Sequence, residues 1–190
     1  MKLNPIAFLL LFITIGLPTV VIQPDAAIAQ STQNGTKSYV TGRVSFKTPG
    51  DWVEPSSNSR TITLFNYKVA KGGGAAPIDM LRLDASIVPQ NFASATNAKT
   101  RRGKSTRGTP PKILKELRQT IDDVPALIEY SSNENSDFIQ SVTFYMRHSD
   151  RSTAIITIAY DPSNPNAEKI IQQIQNSIRI RKDRPMKSMP

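Results

Sequence analysis

The sequence predicts an α+β fold, a single antiparallel β-sheet flanked by helices in an α/β/α sandwich. Three observations lead there. Several short stretches alternate apolar and polar side chains, the period-2 mark of half-buried strands. Near the C-terminal end the period lengthens, and Ala167, Ile170, Ile171, Ile174 and Ile178 fall on one helical stripe. A helix with one apolar side and a sheet with faces to cover bury each other in layers, and the chain is the size of one domain.

The elements follow in order. Lys2 precedes an apolar run from Ile6 to Ile15, and Ala27-Ile28-Ala29 supplies the small-x-small pattern of signal peptidase cleavage. Residues 1–29 are therefore expected to be a signal peptide, with Gln30 first in the mature chain. The competing reading, a retained anchor reaching Ile22, is interrupted by Gly16 and Pro18 and falls short of the ~20 residues that span a bilayer. Residues 30–38 are polar and read as a flexible leader. The domain proper is expected over residues 39–181, followed by a basic tail over 182–190.

Tyr39 to Thr48 reads as one strand with Val40, Gly42, Val44 and Phe46 on a common face, ended by the Pro49-Gly50-Asp51 turn. Trp52, the only tryptophan, follows as a core or rim anchor. Arg60 to Tyr67 is a second strand, Lys71 to Pro77 a glycine-rich loop, and Asp79 to Val88 a strand with Leu81, Leu83, Ala85 and Ile87 inward. Asn91 to Lys99 reads as a short helix. Leu114 to Ile121 and Ala126 to Tyr130 form a hairpin about Asp122 and Asp123. Phe138 to Arg147 and Thr153 to Tyr160 are joined by the turn His148-Ser149-Asp150-Arg151. The last helix begins at Asn164 as cap, with Pro165 at its first position.

Composition narrows the chemistry. No cysteine is present, which removes disulfides, thiolate metal sites and thiol nucleophiles. One histidine leaves little for a His-rich metal site. Gly103-Lys104-Ser105 resembles the end of a phosphate-binding loop, but Ala98 stands where that motif needs a glycine. His148, Ser149 and Asp150 are hydrolase residue types, yet triad members are brought together by folding from separate segments, so adjacency in a turn argues for nothing. Asp122 and Asp123 read as a solvated turn rather than a cation site. The sequence thus points to a protein that is not an enzyme, and it assigns no catalytic residue, cofactor or metal ligand.

Charge is more informative. Lys and Arg number 24 against 15 Asp and Glu, a net charge of +9. Between Lys99 and Arg118 eight bases meet one acid, and between Arg179 and Lys187 five bases meet one. Such concentration suits contact with an acidic protein surface or an anionic membrane. Lys99, Arg101, Arg102, Lys104, Arg107 and Lys112 are the expected partner-binding residues. The basic stretch lacks aromatic residues to stack on bases, which disfavours nucleic acid.

Three segments carry a family resemblance: Val44 to Trp52 with its Thr-Pro-Gly-Asp-Trp turn, Ile121 to Ala126, and Ile155 to Asp161 followed by the Ala167 to Ile178 helix and Ile180. Together they resemble the PsbP-like family, which shares its fold with Mog-type Ran-binding proteins. The Ala-x-Ala-Gln ending of the export signal is similar to those of cyanobacterial exported proteins. The resemblance implies a non-enzymatic protein peripheral to a membrane on its thylakoid-lumenal or periplasmic side. There it would dock on or help assemble a membrane complex, with photosystem II the complex implied. Calcium is implied by the resemblance alone. Cyanobacterial members are typically lipid-anchored through a cysteine, from which this chain departs. The alternative function is a periplasmic small-ligand or envelope-binding module using a groove between sheet and helix.

Overall fold

Val, Ile, Thr, Phe and Tyr recur at alternate positions through most of the chain, and β-branched and aromatic side chains fit a pleated, half-buried surface. In the computed structural model, which describes residues 30–33, 35–50, 52–58, 60–67, 78–97, 111–133 and 138–181, they form two antiparallel sheets. The smaller runs β1-β2-β3-β11, from β1 (Gln30–Gln33), β2 (Thr36–Thr41), β3 (Val44–Pro49) and β11 (Arg179–Ile180). The larger runs β4-β5-β6-β10-β9-β8-β7. Its strands are β4 (Val53–Asn58), β5 (Thr61–Phe65), β6 (Leu81–Val88), β7 (Lys112–Ile121), β8 (Val124–Ser132), β9 (Gln140–Arg147) and β10 (Thr153–Tyr160).

The expected flanking helices are short. Only α1 (Phe92–Ala95) and α2 (Ala167–Ser177) form among the described residues, so the architecture is dominated by sheet rather than being a full α/β/α sandwich. The first strand also differs from expectation. Tyr39 to Thr48 is not one strand but a hairpin, β2 and β3, with Thr41 opposite Val44 and only Gly42 and Arg43 between. Gly42 has φ of +57°, and of the two loop residues only it is left-handed, as in the II′ turns that suit hairpin twist. The buried side chains are accordingly Tyr39 and Thr41 before the turn and Val44, Phe46 and Thr48 after it. Val40 is not among them. Residues 30–33 and 36–38, expected as a flexible leader, run as paired strands.

The hairpin expected about Asp122 and Asp123 is present as β7 and β8. Both aspartates take positive φ, 51° and 62°, the type I′ condition. α1 matches the start of the expected helix, capped by the Asn91 side chain accepting the Ser94 N–H. α2 begins later than expected. Asn164 accepts the Asn166 N–H through its side chain (2.9 Å), and the helix proper starts at Ala167. Just upstream, Asp161 Oδ1 accepts both the N–H and the hydroxyl of Ser163, which holds its carboxyl below the ordinary range.

The core lies between one face of the large sheet and the small sheet with α2. Leu64, Leu83, Ile158 and Val142 stand side by side across four strands, and Ile62, Ala85, Ile156, Phe144 and Ile128 form the next row. Val44, Phe46, Ile171, Ile174 and Ile178 join the same cluster. Trp52 belongs to it at 5% exposure, bearing out the anchor reading. Ser177 fixes α2 to β3 by accepting the Lys47 N–H at 2.8 Å. Tyr39 stacks on Phe46, and Tyr160 donates to Gln140 at 3.0 Å; burial pushes both phenol pKa values up.

Candidate functional site: a cationic edge and a cleft at the turn end

Of the six residues expected to bind a partner, only Lys112 lies among the described residues. Lys99, Arg101, Arg102, Lys104 and Arg107 fall outside them. Lys112 opens β7, which occupies one end of the large sheet's strand order and exposes Lys112, Lys115 and Arg118. Lys115 lies opposite Tyr130, with its ammonium 5.8 Å from the ring centroid, and Arg118 lies opposite Leu127 on the other face. A register shift between Ile113 and Lys115 accompanies Leu114, which is 49% exposed. Charged residues and irregularity of this kind keep an edge strand from recruiting another sheet. The same features present positive charge on both faces of the edge.

A second site emerges where three turns meet. The β2–β3 turn, the β7–β8 turn and the β9–β10 turn converge with the residue after β11 at one end of the molecule. Backbone and side-chain bonds tie them together. The Arg43 N–H donates to His148 Nε2 at 3.4 Å, the Ile180 N–H to Asp122 Oδ2 at 2.7 Å, and the Arg181 N–H to the Arg43 carbonyl at 2.9 Å. Between them opens a cleft of about 540 Å³. Arg43, Arg147, Arg151 and Arg181 line it together with Asp123, Asp150, His148 and Ser149, over apolar Val124, Pro125 and Ile180. A cavity of about 320 Å³ beside it shares Pro125, Arg147, Ser149 and Asp150 and adds Asn91, Phe92 and Ala93. Both lie at the turn end of the large sheet, the smaller one between α1 and the ends of β8 and β9, and neither is lined by α2.

Because His148 Nε2 accepts an N–H, the geometry assigns the imidazole proton to Nδ1, which faces Ser152 Oγ at 2.8 Å. Ser152 in turn bonds Ser149, whose hydroxyl also accepts the Arg151 N–H. Asp150 pairs with Arg147. The imidazole thus braces two turns, with Nε2 toward the Arg43 N–H and Nδ1 toward the Ser152 hydroxyl. Among the described residues no group of three or more His, Asp or Glu side chains gathers as metal ligands do. Sequence reasoning missed this cleft because Arg43, the turn carrying Arg147 and Arg151, and Arg181 lie far apart in the chain. The turn glycine at 42 is the one local signal near it.

The architecture is a sheet-dominated α+β fold with a cationic edge and a cationic end cleft. No protein-family model and no curated protein matches the chain. Among solved structures, the cyanobacterial PsbP (CyanoP) of Synechocystis sp. PCC 6803 is 10% identical with a TM-score of 0.43, over 88% of this chain and 99% of that one. Protein PA94 of Pseudomonas aeruginosa, of unknown function, is 15% identical with a TM-score of 0.43, over 80% and 100%. A Bacteroides thetaiotaomicron crystal structure is 10% identical with a TM-score of 0.45, over 74% of this chain. The match spans less than half, 46%, of that Bacteroides chain.

Proposed function

We propose that the protein is a non-enzymatic, exported PsbP-like protein that docks on or helps assemble a membrane complex. In this reading residues 1–29 are removed on export, and the product is peripheral to the membrane on its thylakoid-lumenal or periplasmic side. One observation carries the docking: Lys112, Lys115 and Arg118 stand exposed along β7, continuing the basic run that begins at Lys99. Exposed cations on an edge strand attract an acidic protein surface or anionic headgroups. Exposed charges act within ~8 Å at physiological salt, so the association weakens steeply as salt rises.

The test is co-sedimentation with membranes of the native host across a salt series. Wild type should wash off as salt rises, and the product should begin at Gln30. A variant with Arg101, Arg102, Lys104, Arg107 and Lys112 changed to Gln should associate more slowly at low salt while folding normally, since such charges act mainly on the association rate. Equal association by that variant would overturn the reading.

A further inference from the structure

We infer that the end cleft is a binding site for a small amphipathic oxyanion, an aryl or alkyl group bearing one phosphate or carboxylate. Four arginines, Arg43, Arg147, Arg151 and Arg181, line the cleft together with the acids Asp123 and Asp150, an excess of +2 in one concavity. Asp150 is already engaged with Arg147. Arg151 and Arg181 are exposed and make no ion pair among the described residues. Like charges gathered this way repel one another, and an anion placed between them relieves the repulsion. Guanidinium forks match the paired oxygens of a phosphate or carboxylate, which sets the head-group chemistry.

The floor sets the rest of the ligand. Val124, Pro125 and Ile180 give the cleft an apolar base, and about 540 Å³ is within the ordinary range of small-ligand pockets. The walls are also held in place before any ligand arrives. Arg43 is anchored through its N–H to His148 and through its carbonyl to the Arg181 N–H, and Ile180 is held by Asp122. A site whose backbone is already cross-tied loses little further freedom on binding. This inference stands apart from the docking reading, which rests on the β7 edge.

The experiment titrates the isotope-labelled protein, expressed from the full sequence, with inorganic phosphate, phenyl phosphate and benzoate while amide shifts are followed by NMR. Saturable shifts are expected at Arg43, residues 149–152 and Arg181. Phenyl phosphate should bind about tenfold or more tightly than inorganic phosphate, because its ring covers the apolar floor. Saturation by phenyl phosphate alone, or by benzoate alone, identifies the head group and supports the site either way. Changing Arg151 and Arg181 together to Gln should weaken binding about tenfold, whereas Lys112→Gln with Lys115→Gln should leave it unchanged. Both arginines are exposed, so the fold is expected to survive, and the unperturbed core amides check this in the same spectra. Linear shifts without saturation, equal binding of phosphate and phenyl phosphate, or equal losses in the two variants would overturn the inference.

Discussion

Replacing Gly42 by Ala loads the turn where β2, β6 and the β9–β10 turn crowd together. The new methyl would collide with Ile87 Cδ1 and stand 3.1 Å from His148 Nε2, at a residue held at φ of +57°. The left-handed backbone alone costs a non-glycine residue about 1–2 kcal/mol. Pushing Ile87 off its rotamer adds about 0.5–1.5 kcal/mol, and loosening the Arg43 bond to His148 adds a similar amount. The expected loss is therefore about 2–5 kcal/mol, or roughly 4–20 °C in Tm at ~2–4 °C per kcal/mol. Trp52, buried and unique, reports unfolding by its fluorescence in urea or heat. Ile87→Val removes the obstructing Cδ1 atom and separates the steric share from the backbone share. The double variant should recover about 0.5–1.5 kcal/mol relative to the sum of the two single losses. A loss below ~0.5 kcal/mol for Gly42→Ala, or strict additivity within ~0.3 kcal/mol, would refute this account of the turn.

Three further outcomes are expected. Ile174→Ala, at a side chain with no exposed surface, should cost about 2–5 kcal/mol in the same unfolding assay, and a change within ~0.5 kcal/mol would remove α2 from the core. Burial raises the Tyr39 and Tyr160 phenols, so the folded state holds their protons more tightly than the unfolded chain does. Their contribution is complete below pH ~10 and drains as pH climbs through the raised values, and Tyr39→Phe should flatten that alkaline loss in a urea-midpoint series against pH. Asp161 shifts the opposite way: its contribution is present above the usual carboxylate value near ~3.9 and is lost as pH falls through its lowered one. Asp161→Asn should therefore be less sensitive to acid than wild type below pH ~4, and identical acid profiles would show that the Ser163 bonds do not matter.

Where burial is one-sided and periodic, the sequence made the fold legible. The inward Leu81, Leu83 and Ala85 of β6, the β7–β8 hairpin and the isoleucine stripe of α2 all emerge where their spacing puts them. Failure came where a turn hides inside an alternating run. Gly42 sits in phase with Val40 and Val44, so the run reads straight through it, although the chain reverses there and the buried positions change parity. The start of α2 misled for a local reason, since Asn164 caps a turn before the helix rather than the helix itself. The cationic run was visible because its charges are adjacent in the chain. The cleft was not, because Arg43, the pair Arg147 and Arg151, and Arg181 come together only through the packing of two turns against the end of β11.

The pairing of β3 with β11 sets an order of events in time. Val44 and Ser45 take Ile180 and Arg179 as ladder partners, and Lys47 bonds Ser177 across 130 positions of chain. When the β2–β3 hairpin leaves a ribosome or threads a translocase, the strand and helix that complete its sheet have not yet emerged. Contacts of such separation are slow to form, because the entropy of closing the loop is lost before the contact compensates for it. The small sheet therefore closes late, and truncation before residue 177 would remove Ile178 and Ile180 from the core cluster that holds Val44 and Phe46. Completion of the small sheet thus hangs on residues 177–180, whereas the seven strands of the large sheet are all in hand by Tyr160.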